Sequence, residues 1–98
     1  MVRQEEIAAA KVAKVAIATL AVSAASRQAT IRILRKANRI ATLAIARGFA
    51  NEEHLVDARR NAGIALSELI HTLEKQFPPQ EKIDKAKQAV EVWIEALR

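Results

Sequence analysis

Residues 7–25, IAAAKVAKVAIATLAVSAA, are the stretch that decides the fold. Their composition predicts a helix, and the larger apolar side chains point in every direction when successive residues are placed about 100° apart. Only Lys11 and Lys14 mark a polar side, and both lie in the first half of the stretch. A helix that is apolar all round has to be covered all round, so we expect either a central position in the fold or contact with a second copy.

The composition of the whole chain predicts a small all-α domain. Its 98 residues suffice for one domain with a single core. Hydrophobic residues make up 51% of the chain and aromatic residues only 3%, so Ala, Ile, Leu and Val at helical spacing supply the core. With two Gly and two Pro, turns are few, which favours helices. The absence of Cys excludes disulfides and thiolate chemistry.

Four helices are predicted within one domain that spans residues 1–98, and we expect an antiparallel four-helix bundle. Gly48 suits a helix end, Asn51 suits the following N-cap, and the Phe-Pro-Pro turn at 77–79 stops the third helix. The first junction is less defined, because residues 23–26 contain neither Gly nor Pro. The alternative is that helices 1 and 2 fuse into one long helix, which oligomerisation then completes. The predicted helices span about residues 4–22, 27–47, 52–76 and 80–97.

Hydrophobic periodicity assigns one buried face to each of helices 2, 3 and 4. Ile64 falls on the opposite side of helix 3, and Gly63 beside it costs about 1 kcal/mol relative to Ala in a helix interior. The expected core positions are Ile33, Leu34, Ala37, Ile40, Ala41, Ala44 and Ile45 in helix 2, Leu55, Ala58, Ala62, Ala65, Leu66, Leu69, Ile70 and Leu73 in helix 3, and Ile83, Ala86, Val90, Trp93, Ile94 and Leu97 in helix 4.

The excess apolar surface of helix 1 predicts self-association. Each helix of an up-down bundle should keep a solvent side, and helix 1 breaks that pattern. Small residues along a helix edge let two backbones approach closely and gain dispersion energy over many atoms. The alternative is that helix 1 sits centrally in the bundle, with Ala tolerated at the surface. The predicted oligomer interface comprises Ala9, Val12, Ala13, Val15, Ala16, Leu20 and Val22.

Charge is divided unevenly between the two halves of the chain. Residues 1–47 hold nine Lys and Arg against two acids, a balance of +7, whereas residues 48–98 hold seven against nine, a balance of −2. A row of cations on helix 2 suggests an alternative function, because basic groups along a helix edge can track the phosphates of a nucleic acid or another polyanion. No interleaved aromatic residues or base-reading motif accompany this row, so the other interpretation is a solvated face paired with acids. The candidate polyanion-binding residues are Arg32, Arg35, Lys36 and Arg39.

No catalytic, cofactor or metal site is predicted. Glu68 and His71 have the one-turn spacing of a di-iron ligand pair, but the chain lacks the second pair and the inward carboxylates that such a site needs. No nucleophile lies beside a base and no Gly-rich phosphate loop is present, so we expect a non-enzyme without cofactor or small-molecule ligand.

Targeting signals and membrane spans are not predicted either. Glu5 and Glu6 suit the helix dipole in the first turn of helix 1, and they lie where a secretory signal would carry positive charge. Two Lys and many Ala interrupt the apolar stretch beyond them, which argues against a membrane span. We therefore expect a soluble protein without a membrane partner, and the sequence assigns no compartment.

Several features of the chain are typical of designed proteins: short turns, an Ala/Ile/Leu/Val core, no Cys, a single Trp and a single Met at position 1. In these features the chain resembles a de novo designed or computationally redesigned α-helical bundle. Gly63, Ile64 and the Gly-free junction at 23–26 depart from such a design and leave a natural scaffold open. The resemblance implies a protein whose purpose is a fold or an assembly, here a homo-oligomer built on helix 1.

Overall fold

The computed structural model describes residues 2–20, 27–46 and 53–98. It describes the side chains of residues 4–20, 27–46 and 55–98. Over these residues the chain forms four α-helices and no strand. Each helix packs against its neighbour in sequence, and the last also packs against the first, so the predicted all-α four-helix bundle is confirmed. The helices are α1 (Val2–Leu20), α2 (Arg27–Ala46), α3 (Glu53–Leu73) and α4 (Gln80–Leu97).

Side-chain contacts show that α2 runs antiparallel to α3, and α3 to α4, where Lys82 and Lys85 donate to Thr72 and Glu68. Arg35, in the first half of α2, pairs with Glu74, just beyond the end of α3. Asn38, which follows Arg35 by one turn, donates to Ser67, which precedes Glu74 by about two turns. The alternative in which helices 1 and 2 fuse is wrong, because α1 packs against α2 and the two halves of one straight helix cannot touch. The junction at 23–26 and the predicted turn at 48–51 lie outside the described residues.

One face of each of the four helices contributes to the core. The faces predicted for α3 and α4 are confirmed in full, since every expected position is buried. The face of α2 is narrower than predicted, because Ile33, Ile40 and Ile45 are only half-buried and line the grooves on either side of α2. The buried residues of α2 are Thr30, Ile31, Leu34, Ala37, Ala41 and Ala44.

α1 differs most from the prediction. One side is buried as expected, but Lys11, Val12, Lys14 and Val15 on the other side are exposed. The prediction that helix 1 buries nearly all of its surface is therefore wrong for the single chain. The reason is the square arrangement, in which α1 lies side by side with α2 and α4 only and its outer side stays open. The buried apolar residues of α1 are Ala10, Ala13, Ala16, Ile17 and Leu20.

Two helix boundaries also differ from the prediction. α1 begins at Val2 rather than near residue 4, and α3 ends at Leu73 rather than Gln76. Beyond Leu73 the chain tightens into a hydrogen-bonded turn, in which the backbone N–H groups of both Lys75 and Gln76 donate to the carbonyl of Thr72. α4 begins at Gln80 as predicted, after an extended Pro79 whose carbonyl accepts the N–H of Lys82 at 3.0 Å.

Candidate functional site

α1 and α2 enclose an apolar groove of about 450 Å³ on the outer surface of the bundle. The groove exists because small residues of α1 face half-buried isoleucines of α2, which leaves the space between the two helices incompletely filled. We call it the α1–α2 groove, and its lining residues are Glu5, Ala8, Ala9, Val12, Ile33, Lys36, Ala37 and Ile40.

Larger apolar side chains extend this groove along both helices. Val12 and Val15 of α1 are 50% and 65% exposed, and Leu43 of α2 is 43% exposed. Val15 follows Val12 by one helical turn, and Leu43 follows Ile40 by the same spacing, so each lies one turn beyond a residue that lines the groove. We call this surface the outer apolar strip, and it consists of Val12, Val15, Ile33, Ile40 and Leu43.

The structure separates the residues of the predicted oligomer interface into two groups. Ala13, Ala16 and Leu20 are at most 5% exposed and belong to the core of the bundle itself. Ala9 is half-buried and packs against that core. Ala13, Ala16 and Leu20 are therefore buried within the single chain, whereas Ala9 also lines the α1–α2 groove. Val12 and Val15 are exposed, and the remaining predicted interface residue, Val22, lies outside the described residues.

The candidate polyanion-binding residues all lie on the solvent side of α2. Arg35 Nη2 lies 2.7 Å from Glu74 Oε2 in an exposed ion pair, which contributes at most about 1 kcal/mol. No ion pair joins Arg32, Lys36 or Arg39 to a side chain in the segments that the structure describes. Lys36 also lines the α1–α2 groove, so positive charge borders the outer apolar strip.

A buried polar network crosses the interior of the bundle. Glu6 is fully buried, and its Oε2 and Oε1 accept hydrogen bonds from Nε and Nη2 of Arg59 at 2.7 and 2.8 Å. The indole Nε1 of Trp93 donates to the same Oε2 at 2.7 Å. The long Arg59 side chain thus spans the diagonal from α3 to α1, and Trp93 joins it from α4. The network ties three helices together near one end of the bundle.

The sequence interpretation missed this network, because it assigned Glu6 only to the helix dipole. With α1 beginning at Val2, Glu6 lies in the second turn of the helix. The available signal was the spacing, since Glu6 precedes Ala10, Ala13 and Ile17 by four, seven and eleven residues and so belongs to the buried stripe. A buried Trp also requires an acceptor for its N–H group, which Glu6 provides.

Glu68 and His71 both lie on the solvent side of α3. Glu68 Oε2 lies 3.2 Å from Lys85 Nζ, and His71 is exposed. Within the described segments, no group of three or more His, Asp or Glu side chains is placed to hold a metal ion.

Comparison with known proteins adds no family assignment: no protein-family model, curated protein or solved structure matches the chain.

Among the helices that the structure describes, none is long and apolar enough to cross a membrane. On the described surface of α1 and α2, the exposed side chains of the outer apolar strip lie beside the cations of α2.

Proposed function

We propose that this protein is a non-catalytic helical bundle that associates with a second copy of itself through the outer apolar strip. The observation that supports this role is the exposure of Val12 and Val15, at 50% and 65%, beside a groove with an apolar floor. Removing apolar surface from water contributes about 25 cal/mol per Å². A structural, self-associating role also agrees with the resemblance of the chain to designed bundles.

The geometry of α1 and α2 suits a symmetric pair. Two helices of this length side by side present a face of roughly 30 by 20 Å, which approaches the ~800 Å² per partner of a standard interface. A two-fold axis would place the strip of one copy against the same strip of the other. Ala8 in the groove carries only a methyl group, so it permits close approach of the partner helix.

Charge beside the strip sets the salt dependence of this association. Lys11, Arg32, Lys36 and Arg39 are exposed on α1 and α2, whereas Glu5 is the one exposed acid among the described residues of these helices. Pairing two such faces brings like charges together. Salt screens these charges, since the Debye length falls from about 10 Å at 0.1 M to about 3 Å at 1 M. Self-association should therefore strengthen as salt is added.

We expect the variant Val12→Glu with Val15→Glu to be monomeric. The two carboxylates would have to be buried without partners in the proposed interface, which costs several kcal/mol. Both positions are exposed in the single chain, so the fold should be retained. Light scattering behind size exclusion, over a wide range of concentrations, measures the molar mass against the 10.8 kDa of one chain.

The matched control is Val92→Glu, because Val92 is 51% exposed but lies on α4. This variant should associate as the parent protein does. A parent chain that stays at 10.8 kDa at every concentration would overturn the proposal. So would a double variant that keeps the molar mass of the parent.

A second candidate function is polyanion binding through α2. The observation that favours it is the row of Arg32, Lys36 and Arg39, exposed and without an ion pair to the described residues. Cations that contact phosphates release bound counterions, so this affinity should fall with added salt. Salt thus affects the two candidate functions in opposite directions.

We expect Arg32→Glu with Arg39→Glu to elute from a heparin column at much lower salt than the parent chain. The loss of two phosphate contacts should reduce the slope of log affinity against log salt by about two. The control is Lys87→Glu with Arg98→Glu, which makes the same change in net charge on exposed positions of the fourth helix and its end. If both variants lose retention equally, binding follows net charge alone and the α2 site is rejected.

A further inference from the structure

The rotation of α1 about its own axis is not determined by its large apolar residues. When successive residues are placed about 100° apart, the large apolar side chains between positions 7 and 20 lie roughly 60–80° apart all the way round the helix. Any rotation of the helix therefore buries a similar share of them and leaves a similar share exposed. These residues are Ile7, Val12, Val15, Ile17 and Leu20.

The lysines of α1 favour a rotation that the structure does not have. Lys11 and Lys14 prefer solvent, so they favour burial of the opposite side of the helix. That side carries Ala9, Ala16 and Leu20. In the structure, the residues of α1 that are 0% exposed are centred roughly 80° away from that side, and they are Glu6, Ala10, Ala13 and Ile17. Neither the apolar residues nor the lysines therefore determine the observed rotation.

Glu6 lies on the buried side of α1 and makes the contacts that explain the rotation. Its carboxylate accepts hydrogen bonds from Arg59 at 2.7 and 2.8 Å and from Trp93 at 2.7 Å. Rotating α1 by roughly 80° would move this carboxylate by roughly 7 Å, because side-chain ends lie about 5–6 Å from the helix axis. All three hydrogen bonds would break, and the Arg59 side chain, which is 4% exposed, would stay buried without its counterion. A buried cation without a partner strongly disfavours that rotation.

From these observations we infer that the network of Glu6, Arg59 and Trp93 sets the rotation of α1 and thereby decides which apolar side chains this helix presents to solvent. α1 is one continuous helix of 19 residues, so a contact in its second turn orients its whole length. With the network in place, Val12 and Val15 face outward. The rotation is a property of the single chain, so this inference does not rest on the proposed self-association.

Single cysteines report the rotation, because the chain contains no other Cys. Ala10 and Ala13 are matched positions, since both are Ala on the same helix and both are 0% exposed. Rotation by roughly 80° toward the side opposite the lysines would bring Ala10 to the surface, whereas Ala13 would stay inside. The rate at which a maleimide modifies Ala10→Cys, relative to the rate for Ala13→Cys, therefore measures rotation. Overall unfolding speeds both reactions and leaves their ratio unchanged.

Two backgrounds are compared: a reference protein with Glu5→Ala, and a test protein that adds Glu6→Ala and Arg59→Met. Glu5 is replaced in both, because the rotation would carry its carboxylate inward. We expect modification of Ala10→Cys to be at least about tenfold faster in the test protein than in the reference, because the side chain becomes exposed. Modification of Ala13→Cys should change by less than about twofold. An equal change at the two positions, or no change at either, would overturn the inference.

A conservative variant keeps the inference testable if the test protein does not fold. In the reference background, Glu6→Gln preserves the size of the side chain but removes the charge that balances Arg59 and turns one acceptor into a donor. It should speed modification of Ala10→Cys by at least about threefold and leave Ala13→Cys within about twofold. Urea denaturation followed by Trp fluorescence establishes that each protein is folded. If Ala10→Cys stays as protected as Ala13→Cys in every folded variant, the network does not set the rotation.

Discussion

Replacement of Glu6 by Ala is expected to lower the free energy of unfolding by about 3–5 kcal/mol. Glu6 is fully buried and accepts three hydrogen bonds, two from Arg59 and one from Trp93. Without the carboxylate, the Arg59 cation stays in the interior with nothing to offset its desolvation. Urea denaturation followed by circular dichroism and by the fluorescence of the single Trp measures the loss.

Two comparison variants separate this network from a general effect on α1. Glu5→Ala changes the exposed neighbour and should stay within about 0.5 kcal/mol of the parent chain. Glu6→Leu combined with Arg59→Met removes both charges and should recover most of the loss, because apolar residues of similar volume often replace a buried ion pair at little cost. A loss below about 1 kcal/mol for Glu6→Ala would contradict a buried ion pair at this position.

Leu20→Glu is expected to abolish the fold. Leu20 is 1% exposed and belongs to the apolar core of the bundle. The substitution removes core packing worth about 2–5 kcal/mol and buries a carboxylate without a partner, which costs several kcal/mol more. A domain of this size has only about 5–15 kcal/mol of stability. The circular dichroism spectrum should therefore lose its helical minima, and the NMR spectrum its dispersion.

The same helix provides the control for this second experiment. Val15→Glu changes a side chain that is 65% exposed and should keep a cooperative unfolding transition. If Leu20→Glu instead gave a folded monomer from an oligomeric parent, Leu20 would belong to an interface between copies. That result would contradict its place in the core of the single chain.

Helix periodicity was sufficient to predict most of the fold. Every core position expected in α3 and α4 is buried, and the Phe-Pro-Pro turn leads directly into α4 at Gln80. These predictions succeed because the buried face of a helix in a bundle repeats every three to four residues, and because Pro cannot continue a helix. Each of these signals is carried by residues that lie within a few positions of the feature that they predict.

The prediction that α1 buries nearly all of its surface failed, because the burial of this helix depends on the positions of the other helices. Ala and Val occur on both sides of this helix, so its sequence does not say which side faces α2 and α4. Packing against those two helices buries Ala13, Ala16 and Leu20 and leaves Val12 and Val15 exposed. Of the predicted interface residues that the structure describes, Val12 and Val15 are therefore the exposed ones.

Local patterns thus account for the all-α class, the helix positions and the core faces of α3 and α4. The tertiary arrangement accounts for the pairing of Glu6 with Arg59, which are 53 residues apart, and for the groove between α1 and α2. The physical reason is the distance along the sequence over which each kind of feature is determined. Helical periodicity reports which side of one helix prefers water, whereas a buried ion pair and a groove depend on which helices lie side by side or across the bundle.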